Sequence, residues 1–176
     1  MRVFVGIELP PRVRETCVTL MQTCQACVDG RWALAENLHV TLAFVGSIDP
    51  AQIPSVEMAM RAVAARFEPP RLSHAATGTF EKRGGAILYC GVDASPALEP
   101  VHNALCDALQ AQGLPCDPGP FRAHITLARK ARVYGVLPQP PAADFAPDYL
   151  TLFESARDRQ DVLRYTPRLR CAWKTQ

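Results

Sequence analysis

Hydrophobic and polar positions alternate from the second residue onward. Val3, Val5, Ile7 and Leu9 stand against Arg2, Phe4, Gly6 and Glu8, a period of two that predicts a strand, and Pro10-Pro11 ends it. The period then lengthens to that of a helix, with Val13, Cys17, Leu20, Cys24 and Ala26 or Cys27 along one stripe. Trp32 leads through Glu36-Asn37 into a second strand, which Gly46 closes. Asp49-Pro50 opens a second helix carrying Ile53, Val56, Met60, Val63 and Phe67, and Pro69-Pro70 stops it. Residues 72–79 and 86–92 read as strands on either side of a Gly84-Gly85 turn. Ser95-Pro96 starts a third helix with Leu98, Val101, Leu105 and Leu109 on its apolar face, and Gly113 ends it. Residues 115–120 form a loop into another strand, 138–147 an irregular proline-rich connection, and 149–153 and 168–173 closing strands. The order of elements predicts an α+β fold built from two similar units.

One pattern occurs twice. Leu38-His39-Val40-Thr41-Leu42-Ala43 returns as Ala123-His124-Ile125-Thr126-Leu127-Ala128. Side chains two apart on a strand share a face, so each histidine stands beside its threonine while Val40, Leu42, Ile125 and Leu127 turn to the core. A single His-x-Thr is weak, because a satisfied half-buried histidine explains it equally well. Two copies, each followed by Leu-Ala, are far harder to obtain by chance.

Composition narrows the partners. The 176 residues are 48% hydrophobic and 20% charged with a formal net charge of +2, which excludes nucleic-acid binding by bulk charge and leaves any phosphate to local groups. No apolar run approaches the ~20 residues that cross a bilayer, and Glu8 comes too early for a secretory leader. Seven cysteines in no framework spacing predict reduced thiols and a cytoplasmic protein. Cys24 and Cys27 have redox spacing but fall at the end of a helix, where the dipole disfavours a thiolate. His102 and Cys106, four apart, read as boundary residues, and His74 is given no role. Neither motif brings the further ligands a zinc site needs, so the reading holds no metal and no cofactor.

Displacement at phosphorus needs one group to deprotonate the nucleophile and one to protonate the leaving oxygen. Two imidazoles near neutrality meet both needs. Short hydroxyls and local cations can hold the remaining oxygens. His39 and His124 are therefore the candidate acid–base pair, with Thr41 and Thr126 as phosphate ligands. Arg122 shares the His124 face. Arg129 falls on the opposite face unless a bulge intervenes, and Phe4 and Phe44 are further candidate substrate contacts.

Around these motifs the chain resembles the two-histidine (2H) phosphoesterase superfamily. The match narrows to the RNA 2′,3′-cyclic phosphodiesterase branch, also called 2′-5′ RNA ligases. It is carried by residues 2–7 (Arg-Val-Phe-Val-Gly-Ile), Trp32, Glu36-Asn37-Leu38-His39, Phe44-Val45-Gly46, Phe121-Arg122-Ala123-His124, Leu127-Ala128-Arg129 and Leu152-Phe153-Glu154-Ser155. The resemblance implies a single bilobal domain over residues 1–176, with two antiparallel sheets, flanking helices and pseudo-two-fold symmetry around a central cleft. Motif one (39–42) and motif two (124–127) would face each other across it. It further implies metal-independent hydrolysis of RNA or nucleotide 2′,3′-cyclic phosphate ends to 2′-phosphate; a monomer is the separate expectation for the chain, whose sequence leaves the oligomeric state open. By analogy His39 would be the general acid and His124 the general base. Reversible 2′-5′ RNA ligation and a non-catalytic RNA-end binding module are the competing readings.

Overall fold

The computed structural model describes residues 1–93, 97–116 and 120–174. The first alternating run is strand β1 (Arg2–Glu8), but Phe4 is buried as well as Val3, Val5 and Ile7. The strand is central, between two partners, and an aromatic cluster covers its second face. Helix α1 (Pro11–Cys24) follows, with proline in its first turn, where no amide partner is lost. It buries Val13, Cys17, Leu20 and Cys24, and it ends before Cys27, short of the full stripe read from sequence.

Strand β2 (Val28–Trp32) had no alternation to announce it, because Gly30 interrupts the run. A Cβ at Gly30 would come 3.2 Å from Ala131 Cα, so the glycine permits close pairing. Strand β3 (His39–Ser47) carries motif one. The Asp49 side chain accepts from Ala51 N–H, and Gln52 answers to Asp49 N–H, a capping box on a 3₁₀ turn that leads into α2 (Ile53–Ala64).

Strands β4 (Leu72–Phe80) and β5 (Ala86–Asp93) form a hairpin. Helix α3 (Leu98–Ala111) ends in a Schellman motif: Gly113 has φ +70°, Leu114 N–H donates to Leu109 O and Gly113 N–H to Gln110 O. The expected start of this helix at Ser95-Pro96 lies outside the described residues, as does 117–119 of the expected loop. Strand β6 (His124–Val133) carries motif two. A two-residue strand β7 (Asp144–Phe145) interrupts the proline-rich connection, and β8 (Tyr149–Arg157) and β9 (Leu163–Ala172) close the chain.

Every strand pairing is antiparallel, and the order β7-β4-β5-β6-β3-β1-β8-β9, with β2 on β6, makes one curled sheet. Among the described residues its halves meet at a single paired position, Val40 with Ile125. The two sheets implied by the resemblance are thus two lobes hinged at the motifs themselves.

The thiol expectation fails at one place. Cys106 and Cys116 form a disulfide, because the glycine-terminated helix returns the chain alongside its own last turns, with Cα atoms 5.1 Å apart. The other five cysteines are free. His102 and Cys106 are also not boundary residues. Both are buried, and His102 Nδ1 donates to Leu42 O at 2.7 Å, tying α3 to the motif-one strand.

Candidate active site

The Leu-Ala that follows each His-x-Thr is a structural element in its own right. In β3 the register passes from Thr41 to Ala43 against Gly6 and Val5, skipping Leu42; in β6 it passes from Thr126 to Ala128 against Tyr89 and Leu88, skipping Leu127. Leu42, Ala43, Leu127 and Ala128 are all buried in consequence. The extra residue reverses the alternation and returns the next side chain to the His–Thr face. That side chain is Phe44 in one half and Arg129 in the other, and both line the cleft. The bulge on which the placement of Arg129 depended is therefore present.

His39, Thr41, His124 and Thr126 open into one cleft of about 890 Å³. His39 Nδ1 lies 2.6 Å from Asn37 O, and His124 Nδ1 lies 2.7 Å from Arg122 O. A carbonyl only accepts, so each Nδ1 carries hydrogen and each Nε2 is left as the reactive atom. Thr41 Oγ1 lies 2.9 Å from His39 Nε2 and donates to it in the neutral state. Asn37 positions this half: its Nδ2 donates to Leu163 O at 2.7 Å, and its Oδ1 accepts from Tyr165 N–H at 3.0 Å, which clamps β9 beside motif one.

Aromatic rings pack on both imidazoles. Phe4 and Tyr165 have ring centroids 4.7 and 5.0 Å from His39, and Phe80 lies 5.0 Å from His124 with Tyr89 at 5.7 Å. Burial drives the His39 pKa down to about 4, with His124 and Arg129 adding to the effect; the hydrogen bond to Asn37 O opposes it. Burial likewise lowers His124, assisted by Arg129 and opposed by the Arg122 carbonyl. Both histidines are thus neutral in the free protein near neutral pH.

Among the described residues Arg2, Lys82, Arg122, Arg129 and Arg157 line the cleft against one carboxylate, Glu81. A nearly neutral chain thus concentrates positive charge where an anion would sit. Phe44 is 58% exposed and open to a ligand, whereas Phe4 is 3% exposed and serves as a wall against His39. Sequence reasoning did not assign Asn37, Phe80, Tyr89 or Tyr165 to the site; their signals are a carbonyl, a cross-strand stack and a contact from a distant strand. His74 stands apart on β4, its Nε2 3.6 Å from Cys17 Sγ. Cys24 is no reactive thiol, since burial pushes its pKa up to about 11. Among the described residues no group of three or more His, Cys, Asp or Glu is placed to hold a metal.

Two His-x-Thr strands hinged at one pair, with both Nε2 atoms in a cationic cleft, define a two-histidine phosphoesterase. The family model of the 2′-5′ RNA ligase superfamily matches residues 9–159, and the chain belongs to that family. It is 30% identical to an RNA 2′,3′-cyclic phosphodiesterase of Escherichia coli, over 97% of this chain and 96% of that one. A Geobacillus stearothermophilus protein of the same name is 37% identical over 85% of this chain, which spans about half (48%) of that longer relative. The crystal structure of E. coli LigT in apo form superposes with a TM-score of 0.79 at 27% identity, over 99% of this chain and 98% of that one. E. coli LigT complexed with 3′-AMP superposes with a TM-score of 0.78, at 28% identity and the same coverage.

Proposed function

We propose that this protein hydrolyses RNA 2′,3′-cyclic phosphate ends, or small nucleotides bearing that group, to 2′-phosphates. The observation that carries the reading is the convergence of both Nε2 atoms and both threonines on one cationic cleft. His124 Nε2 takes a proton from water as its oxygen bonds to phosphorus. The bond from phosphorus to the 3′ oxygen breaks, and His39 Nε2–H protonates that oxygen. Thr41, Thr126 and the cleft cations hold the non-bridging oxygens. His39 is neutral in the free protein, and the bound phosphate supplies the anion that favours its protonated form. The same low pKa supports a second reading in which the roles are exchanged, with His39 as base and His124 as acid.

The relatives' name supports hydrolysis over a binding-only module, and both His-x-Thr pairs are intact. Both histidines come from one chain, so the monomer is the proposed active unit. We place the protein in the cytoplasm, supported by five free cysteines among the described residues. No helix among those residues is long and apolar enough to cross a membrane. The test offers adenosine 2′,3′-cyclic phosphate in the presence of EDTA and identifies the product isomer. The expected product is the 2′-phosphate at an undiminished rate; a 3′-phosphate, or loss of activity on chelation, overturns the mechanism.

A further inference from the structure

A second chamber of about 350 Å³ adjoins the main cleft. The two share His39, Thr126, Arg129 and Tyr165, so a ligand filling both runs continuously past the reacting phosphorus. The second chamber is also lined by Arg31 and Trp32 of β2 and by Lys130 of β6.

The backbone at Lys130 is left-handed, φ 52°, a conformation that residues with a Cβ rarely adopt. Gly85 lies directly against it; a Cβ there would come 2.8 Å from Lys130 Cα. This turn brings Arg129 and Lys130, neighbours in a strand, to the same chamber, whereas plain alternation sends neighbours to opposite faces. No carboxylate stands among the chamber's described lining residues, and Arg31 and Lys130 have no ion-pair partner among the described residues. Trp32 is half-buried, its body packed on the core and its remaining surface at the chamber.

A free cyclic mononucleotide has one phosphate, and the histidines and threonines take it. A separate set of unpaired cations beside an aromatic face calls for a second anion joined to a base. In RNA that is the phosphodiester on the 5′ side of the terminal ribose, with the preceding nucleotide. We infer that the second chamber binds this nucleotide, its phosphodiester at Arg31 and Lys130 and its base against Trp32. The protein thereby selects oligonucleotide ends over free cyclic nucleotides. The inference rests on the cleft being a cyclic phosphodiesterase site.

The test compares kcat/KM for adenosine 2′,3′-cyclic phosphate and for diadenylate ending in 2′,3′-cyclic phosphate. The proteins are the unaltered chain, Arg31→Ala and Lys130→Asn, the last because asparagine tolerates a left-handed backbone. The dinucleotide is expected to be preferred about tenfold or more, with a salt dependence steeper by about 0.7 in logarithmic slope. Both substitutions should erase most of that preference and leave the mononucleotide unchanged. Equal use of the two substrates, or a matching fall on the mononucleotide, overturns the inference. If neither substrate is hydrolysed, the reading of the cleft fails by itself. Fluorescence anisotropy then decides the chamber: 3′-phosphorylated triadenylate should bind the unaltered chain more tightly than either variant, and equal binding overturns it.

Discussion

Val40 and Ile125, the middle residues of the two His-x-Thr motifs, are cross-strand partners. Antiparallel register carried one residue each way sets His39 opposite Thr126 and Thr41 opposite His124. The cavities agree: His39 and Thr126 line one side chamber, Thr41 and His124 another. Each histidine therefore shares a chamber with the threonine of the other half. The site is a product of the junction, and neither lobe contains it alone.

Removing either imidazole should be equally damaging to turnover. His39→Ala and His124→Ala are each expected to lower kcat by about 10²- to 10⁴-fold, with the far-ultraviolet spectrum preserved. Near-normal turnover in either variant would show that the paired acid–base role is wrong.

The site was legible in the sequence because its chemistry rides on local spacing. Two residues apart on a strand is one face, and the motif recurs. The bulges were not legible: Leu42-Ala43 and Leu127-Ala128 look like ordinary strand, and only pairing shows the skipped residue that brings Phe44 and Arg129 round. Tyr165 and Asn37 were hidden for a different reason. They meet across 128 positions of chain through a backbone amide, a contact no periodicity encodes. Strand β2 escaped because glycine inside a short polar run erases alternation, and the Cys106–Cys116 bridge because ten residues of separation fix no geometry until the helix end is known.

The two threonines should separate by their effect on pH. Thr41 donates to Nε2 of His39 and so stabilises the neutral imidazole. With His39 as the general acid, Thr41→Val is expected to raise the His39 pKa and move the upper limb of the kcat profile to higher pH, whereas Thr126→Val should leave that limb in place. Each variant should also lose about 10²-fold in kcat, as for a lost oxyanion donor. Superimposable pH profiles would remove Thr41 from its partnership with His39.

Stability should fall in acid because of the same burial. A histidine with its folded pKa near 4 against 6.5 unfolded binds fewer protons when folded, so the unfolded state gains as pH drops through that window. His39 and His124 both contribute with this sign. His74, whose pKa is raised despite desolvation by its contact with Cys17, works oppositely and favours the fold below its own pKa. The midpoint of urea unfolding is therefore expected to drop between pH 6.5 and 4, and the drop should be shallower in His39→Gln. An equal drop in both proteins would place the acid sensitivity elsewhere.

Gly6 sets how closely β1 can lie against motif one. A Cβ at this position would sit 2.5 Å from the carbonyl oxygen of Val40 and 3.5 Å from the Phe153 ring. The obstacle is backbone rather than a flexible side chain, and Val40 is the hinge residue paired with Ile125. Gly6→Ala must therefore push β3 away from β1 and disturb the strand pairing at which the two halves of the sheet meet. The expected cost is about 1–3 kcal/mol, read as a lower urea midpoint at unchanged slope. Turnover of the remaining folded protein should fall as well, since His39 and Thr41 flank Val40 directly. A variant as stable and as active as the parent would mean that the two lobes adjust freely at their junction.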